Sequence, residues 1–362
     1  MKCLILGAGI SGLLCARELV QSGCQVEIVE RGQIGREASW AGGGILSPLY
    51  PWRQPAAIER LTQSSGQHYA ELSQALKQAT GIDPQWQQCG MLWFSLRDLE
   101  AAIKWCQKRK IAWQILSPKE VAELQPGIEV QESQALWIPE ISQIRNPRLI
   151  KSLQQDLRQC GVILKENTPV LGFVRSRERI AAIKTSNGKI EADVFIVTAG
   201  AWSSSWQIEE AWQPDIRPIK GQMLLIKAKP NLLRLIVQCD EHYLIPRLDG
   251  RILVGSTVED SGFDKRPTRP AFEELYAFAL KTLPILKCSP VELHWAGLRP
   301  KAPGGIPYIG RHPEIANLYY NCGHFRNGVA MGPEAAKLLA DLVLNRETNI
   351  DPQAYLPKNR ML

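Results

Sequence analysis

Residues 2–6, KCLIL, form a short apolar run suited to a parallel strand buried on both faces. GAGISG follows, and then Leu13, Leu14, Ala16 and Leu19 recur at helical spacing from Ile10 to about Gln21, where Gly23 ends the pattern. QVEIVE, residues 25–30, reads as the next strand. Strand, helix and strand at this spacing predict a βαβ unit and a parallel sheet. The stretch 55–78 has a helical pattern. GMLWFSL, MLLIKAK, YLIPRL and RILVGST predict strands of an antiparallel meander, grouped in two blocks at 85–141 and 217–296. ADVFIVTAGAW (192–202) is a further buried strand ending in glycine. Near the C-terminal end, NLYYNCGHFRNGVAMGPEAAKLLADLVL predicts a strand, a glycine-rich turn and a long helix. The pattern therefore predicts an α/β chain. A discontinuous Rossmann-type nucleotide-binding domain (1–84, 142–216 and 297–362) carries an inserted antiparallel β-rich substrate domain (85–141 and 217–296).

The first loop supplies candidate chemistry. Gly7, Gly9 and Gly12 make GxGxxG between the predicted strand and helix. Gly7 permits the tight turn, Gly9 lets a pyrophosphate approach the backbone, and Gly12 lets the helix pack on the strand. The helix start offers free N–H groups to phosphates. Glu30, at the end of the second strand, is placed to accept bonds from ribose hydroxyls, with Arg31 beside it. Such spacing does not separate NAD from FAD.

Composition narrows the class. At 362 residues, with 45% apolar and 22% charged residues, the chain is an ordinary globular protein long enough for two domains. The net charge of +7 is dispersed, and its densest clusters, Lys104–Lys110 and Arg175–Arg179, read as solvated faces, so no nucleic-acid partner is expected. Nine scattered cysteines without a CxxC pair argue against a disulfide framework and fit a reducing cytoplasm. The five histidines lack metal-ligand spacing, so no metal is expected. The N-terminal run resembles a signal peptide, but its glycines and the following Arg17 and Glu18 mark it as structure. No stretch approaches the roughly 20 apolar residues of a membrane span.

HWAGLRPKAPGGIPYIG (294–310) places one guanidinium, Arg299, in an apolar and glycine-rich run. A buried cation requires an anion. An internal acid such as Glu292 or Asp240 satisfies that need as well as an incoming carboxylate does. In GHFRNG, Gly323 and Gly328 bracket a turn into a helix beginning near Val329, whose N-terminus would stabilise negative charge on a ligand edge.

LGAGISG…VEIVERG, GREASWAGGGIL, VTAGAW, WAGLRP…GIPYIGRHPE and GHFRNGVAMGP occur in an order that resembles the D-amino acid oxidase superfamily of flavoproteins, and within it the bacterial glycine oxidases. The resemblance runs from residue 1 to about 345. It implies a D-amino acid oxidase-like fold and noncovalent FAD, with Cys322 in a strand and not a flavin anchor. By the same resemblance, Gly7, Gly9, Ile10, Ser11 and Gly12 would meet the pyrophosphate, and Glu30 and Arg31 the ribose. Val170 would present its backbone to the adenine. Ala38, Ser39, Gly43, Gly44, Ile45, Gly200 and the segment His324, Phe325, Arg326, Asn327, Gly328, Val329 and Ala330 would meet the flavin. SWAGGG carries one residue more than the family pattern.

The resemblance further implies that Arg299 and Tyr243 grip a substrate carboxylate and that the Arg326 carbonyl receives its amine. His242, His294 and His324 are expected to pack and hydrogen-bond, not to catalyse. The implied reaction is oxidation of glycine, sarcosine or small D-amino acids by hydride transfer to flavin N5. Its products are a keto acid and ammonia, with molecular oxygen reduced to H2O2, in the thiazole branch of thiamine synthesis. Relatives imply a homotetramer. Two alternatives stand beside this reading: a dehydrogenase passing electrons to a quinone or partner, and a tRNA-modifying flavin amine oxidoreductase. Ile45–Trp52 is expected to border the pocket, and Glu241 is an unexpected acid two residues before Tyr243.

Overall fold

A computed structural model describes residues 1–94, 96–129, 132–206, 208 and 211–360. The first strand spans Lys2–Leu6, the first helix Ile10–Gln21 and the second strand Gln25–Val29. They belong to a six-stranded sheet ordered Tyr308–Arg311, Leu318–Cys322, Val194–Val197, Lys2–Leu6, Gln25–Val29, Ile163–Lys165. Every pairing in it is parallel except the one between Tyr308–Arg311 and Leu318–Cys322. The central strands are apolar at nearly every position because they are covered on both faces. On one side lie the first helix, Asn146–Gln159 and Gly328–Val343, and on the other a cluster containing Leu4, Phe195, Ile183 and Tyr320.

Ile183 belongs to a three-stranded antiparallel sheet over 170–191 that the hydrophobic pattern did not single out. Its outer strands, Val170–Ser176 and Gly188–Glu191, are partly exposed and carry no buried position, so they offer no apolar stripe to read.

The second large sheet has eight strands. In order they are Val291–Lys301, Arg217–Lys227, Arg251–Gly255, His242–Pro246, Ile236–Cys239, Met91–Phe94, Ala135–Ile138 and Gln114–Leu116. Its pairings are antiparallel, with one exception. Ile236–Cys239 runs parallel to Met91–Phe94, where the two blocks of sequence meet. The strand Val291–Lys301 pairs with Arg217–Lys227 along its length, so residue 297, expected as a domain boundary, falls inside a strand. The backbone changes element only after Lys301. The helical stretch near 55–78 is two helices, Ala56–Thr62 and Ser65–Thr80.

Strand alternation gives the eight-stranded sheet two different faces. Leu224, Leu244, Ile252 and Val254 point into a core shared with the helix Arg269–Thr282. Met223, Tyr243, Ile245, Leu253 and Trp295 point the other way. Arg299 lies on that second face, two residues on from Gly297, which pairs with Gly221. No helix among the described residues is long and apolar enough to cross a membrane.

Candidate active site

A cavity opens beyond the carboxyl ends of the parallel strands, where Gly7, Glu30, Thr198 and Cys322 follow or end the four central ones. In an open α/β sheet this is where ligands bind. Its far wall is the Tyr243 and Arg299 face of the eight-stranded sheet.

At the glycine loop, Gly7 has φ +110°, and a Cβ there would come 2.7 Å from the Thr198 carbonyl oxygen. A Cβ on Gly12 would collide with the Gly7 carbonyl oxygen. Gly12 therefore does the packing task its spacing predicted, and it lies behind the cavity wall. The Glu30 carboxylate accepts from the N–H of Ala8 (2.9 Å) and of Gly32 (3.1 Å), which fixes it at the rim. Ser39 Oγ accepts from the Ile10 N–H at 2.8 Å and ties the second glycine-rich segment to the first helix. Arg31 donates to Glu37 at 2.8 Å and lies 3.5 Å from the Trp202 ring centroid, so its charge is already matched.

The segment 42–45 is held by residues that the sequence did not mark. Asn146 donates to the carbonyls of Ser39 (2.8 Å) and Gly42 (3.1 Å). Arg247 donates to Gly43 O at 2.7 Å, to Ile144 O at 3.3 Å and to Gln143 Oε1. Burial, with Arg145 nearby, pushes the Arg247 guanidinium down to about 9. A lone cation in an apolar run is the signal that marked Arg299, and YLIPRL carried it too.

Of the residues expected at a cofactor, Gly7, Gly9, Ile10, Ser11, Glu30, Arg31, Ala38, Ser39, Gly43, Gly44, Ile45, Val170 and Gly200 line the cavity. So does the run His324–Val329. Ala330 does not line it. It is buried inside the first turn of the helix Gly328–Val343. That first turn nonetheless meets the cavity through Gly328 and Val329. His324 is buried, its Nε2 has no hydrogen-bond partner, and burial lowers its imidazole to about 4, so it is neutral at physiological pH. The remaining histidines fall where packing was expected. His242 meets Glu274 at 2.9 Å, and His294 meets the Phe272 ring edge-on. Cys322 ends its strand in the wall, and burial pushes its thiol up to about 12.

Arg299 and Tyr243 stand together at the far wall. A Cβ on Gly221 would collide with the Arg299 guanidinium, and one on Gly255 would come 2.7 Å from the Tyr243 ring. Two glycines thus provide the beds on which these side chains lie. Among the described residues the guanidinium donates to neutral oxygens, Ser256 Oγ (2.7 Å), Thr257 O (3.0 Å) and Lys220 O (3.4 Å), with the Tyr243 hydroxyl beside it.

No carboxylate among the described residues forms an ion pair with Arg299. Glu292 is taken by Arg251 at 2.6 Å. Glu259, which lies behind, is taken by Lys220 (3.1 Å), Gln222 (2.8 Å) and Thr257. Burial lowers the Arg299 pKa, while the charge of Glu259 and the Tyr243 hydroxyl oppose the shift. Ser256, Thr257 and Gly221 were not legible as site residues because each lies in an ordinary strand or loop sequence. Arg326 lines the same cavity, and its side chain pairs with Glu241 at 2.7 Å.

The sequence profile of the FAD dependent oxidoreductase family matches residues 2–342. The chain belongs to this family. As an FAD dependent oxidoreductase, it is 43% identical over 361 residues to a glycine oxidase of Pseudomonas aeruginosa, covering 99% of each chain. The crystal structure of a glycine oxidase from Geobacillus kaustophilus superposes with a TM-score of 0.94 at 26% identity, covering 99% of this chain and 98% of that one. A bifunctional ThiO/ThiG protein of Synechocystis is 29% identical over 98% of this chain, which spans 53% of that relative.

The wall fits the cofactor of the family. It offers a glycine cradle that a Cβ would fill and a carboxylate at the strand end. It also offers two buried polar atoms without partners, Asn321 Oδ1 and His324 Nε2.

Proposed function

We propose that this oxidoreductase deaminates glycine, and less readily sarcosine and small D-amino acids, with Arg299 as the carboxylate clamp. Glycine, oxygen and water give glyoxylate, ammonia and H2O2. The observation that carries this reading is the Arg299 guanidinium facing the cavity with neutral acceptors and, among the described residues, no paired carboxylate. A planar cation so arranged matches a carboxylate through two parallel bonds. Tyr243 adds its hydroxyl to the same carboxylate, and the Arg326 carbonyl receives the amine.

Bound FAD supplies the hydride acceptor and the route by which electrons reach oxygen. Gly7, Gly9, Ile10, Ser11 and Glu30 hold its pyrophosphate and ribose, and Gly43–Ile45 with His324–Val329 border the flavin, without a covalent link. No side chain is assigned as an obligatory base. His324 is a weak one at about 4, and Cys322 is a thiol. The protein's part is to fix the carboxylate and the neutral amine so that the α-carbon is oriented.

In this reading 1–84, 142–216 and the chain after Lys301 form the FAD domain, and 85–141 with 217–301 form the substrate domain, the expected boundary at 297 moving to the end of its strand. Similarity to the ThiO/ThiG protein supports a role in thiamine synthesis, and in this reading the enzyme works in the cytoplasm and supplies imine for the thiazole. The resemblance implies a homotetramer, which the mass of the purified protein in solution tests. Oxygen uptake with glycine tests the activity. Peroxide should appear mole for mole with oxygen consumed, whereas reduction of a quinone with no oxygen uptake would favour a dehydrogenase.

A further inference from the structure

Besides Arg31, which is paired with Glu37, the cavity wall carries Arg299 and a further guanidinium, Arg326, whose charge is one of the influences, after burial, that lower the Arg299 pKa. Two cations facing one small chamber would favour substrates with two anionic groups. Here the second cation is occupied, because Arg326 Nη2 donates to Glu241 Oε2 at 2.7 Å. The Arg326 side chain is 23% exposed and that of Glu241 is 56% exposed, so the acid reaches in from the surface and covers the arginine. The neighbouring cation Arg53 is committed elsewhere, with Nε at 2.6 Å and Nη2 at 2.7 Å from the Asp98 carboxylate.

We propose that Glu241 is a specificity-determining residue that neutralises Arg326, so that the site accepts a single carboxylate at Arg299 and rejects substrates carrying a second anionic group. The inference rests on the reading of Arg299 as the carboxylate clamp. A dianion seated at Arg299 would bring its second charge toward an arginine already paired, and would have to displace Glu241 or face it. Like charges brought together in a partly enclosed site discriminate against the wrong ligand. The same pair explains an acid two residues before Tyr243: its partner is a protein cation and not the substrate.

The test uses FAD-loaded protein and calorimetric titration with acetate, malonate, succinate and glutarate, a readout independent of turnover. In Glu241→Gln the tightest dicarboxylate should bind about tenfold or more tightly than in the wild type, because an unpaired cation has been released, while acetate stays within about twofold. The gain should vanish in the double variant Glu241→Gln/Arg326→Gln. Dicarboxylate affinity that is unchanged, that shifts in step with acetate, or that still improves in the double variant would overturn the proposal with Arg299 left intact. Acetate that binds equally well to wild type and Arg299→Ala would instead remove the clamp and this inference with it.

Discussion

Arg299 and Arg247 show how far a single residue can be read. Both are lone cations in apolar runs, and both lie against neutral oxygens, Arg247 buried and Arg299 partly so. One faces the cavity and the other braces its wall, a difference that depends on a register the sequence does not reveal. Tyr243→Phe should raise the glycine KM while leaving the limiting rate of anaerobic flavin bleaching nearly unchanged. A variant that binds FAD yet cannot be bleached would mean that the hydroxyl takes part in the chemistry.

His324 carries a pH signature. Burial holds its pKa near 4, below the unfolded value near 6.5, so between these limits the unfolded chain binds the extra proton and stability rises with pH. Its contribution is complete above about 6.5 and is lost as the pH falls toward 4. His324→Asn should therefore lose less stability than the wild type between pH 7 and 4.5. Parallel denaturation midpoints would show that the imidazole is not the titrating group.

At the scale of elements, the glycine loop was legible because strand, turn and helix must follow one another closely around a dinucleotide. Its limits came within a residue, with the first helix at Ile10–Gln21. The substrate wall was legible only in part. The apolar runs marked the strands, but the pairing of Tyr243 with Gly255 and of Gly221 with Gly297 joins segments distant in sequence. No local pattern announces that a glycine on one strand makes a bed for an arginine on the next. Gly221→Ala should push the Arg299 guanidinium off its bed and raise the glycine KM by about tenfold or more, within the usual cost of overpacking, with FAD content unchanged. Loss of FAD in that variant would mean that the sheet itself had moved.

For the whole molecule, the division of labour follows from two sheets meeting at one cavity. The parallel sheet contributes turns and helix starts suited to a nucleotide, and the mostly antiparallel sheet contributes a patterned face suited to a small acid. Glu37 lines the cavity beside the glycine loop and accepts from Lys265 at 2.9 Å, a residue of the loop after Arg251–Gly255, so the two sides are tied at the rim as well. The Cys322 thiol, raised to about 12 by burial, is protonated at neutral pH and a poor nucleophile. Acid precipitation should accordingly leave the yellow flavin in the supernatant. Colour retained in the pellet would show a covalent bond.

Anaerobic bleaching of the flavin by glycine, compared between the wild type and Arg299→Ala, separates the clamp from its alternatives. The wild type should bleach with a saturating dependence on glycine. The variant, still yellow, should need concentrations higher by the equivalent of about 2–5 kcal/mol, the cost of stranding a charge partner. Equal glycine dependence in the two proteins would contradict the clamp.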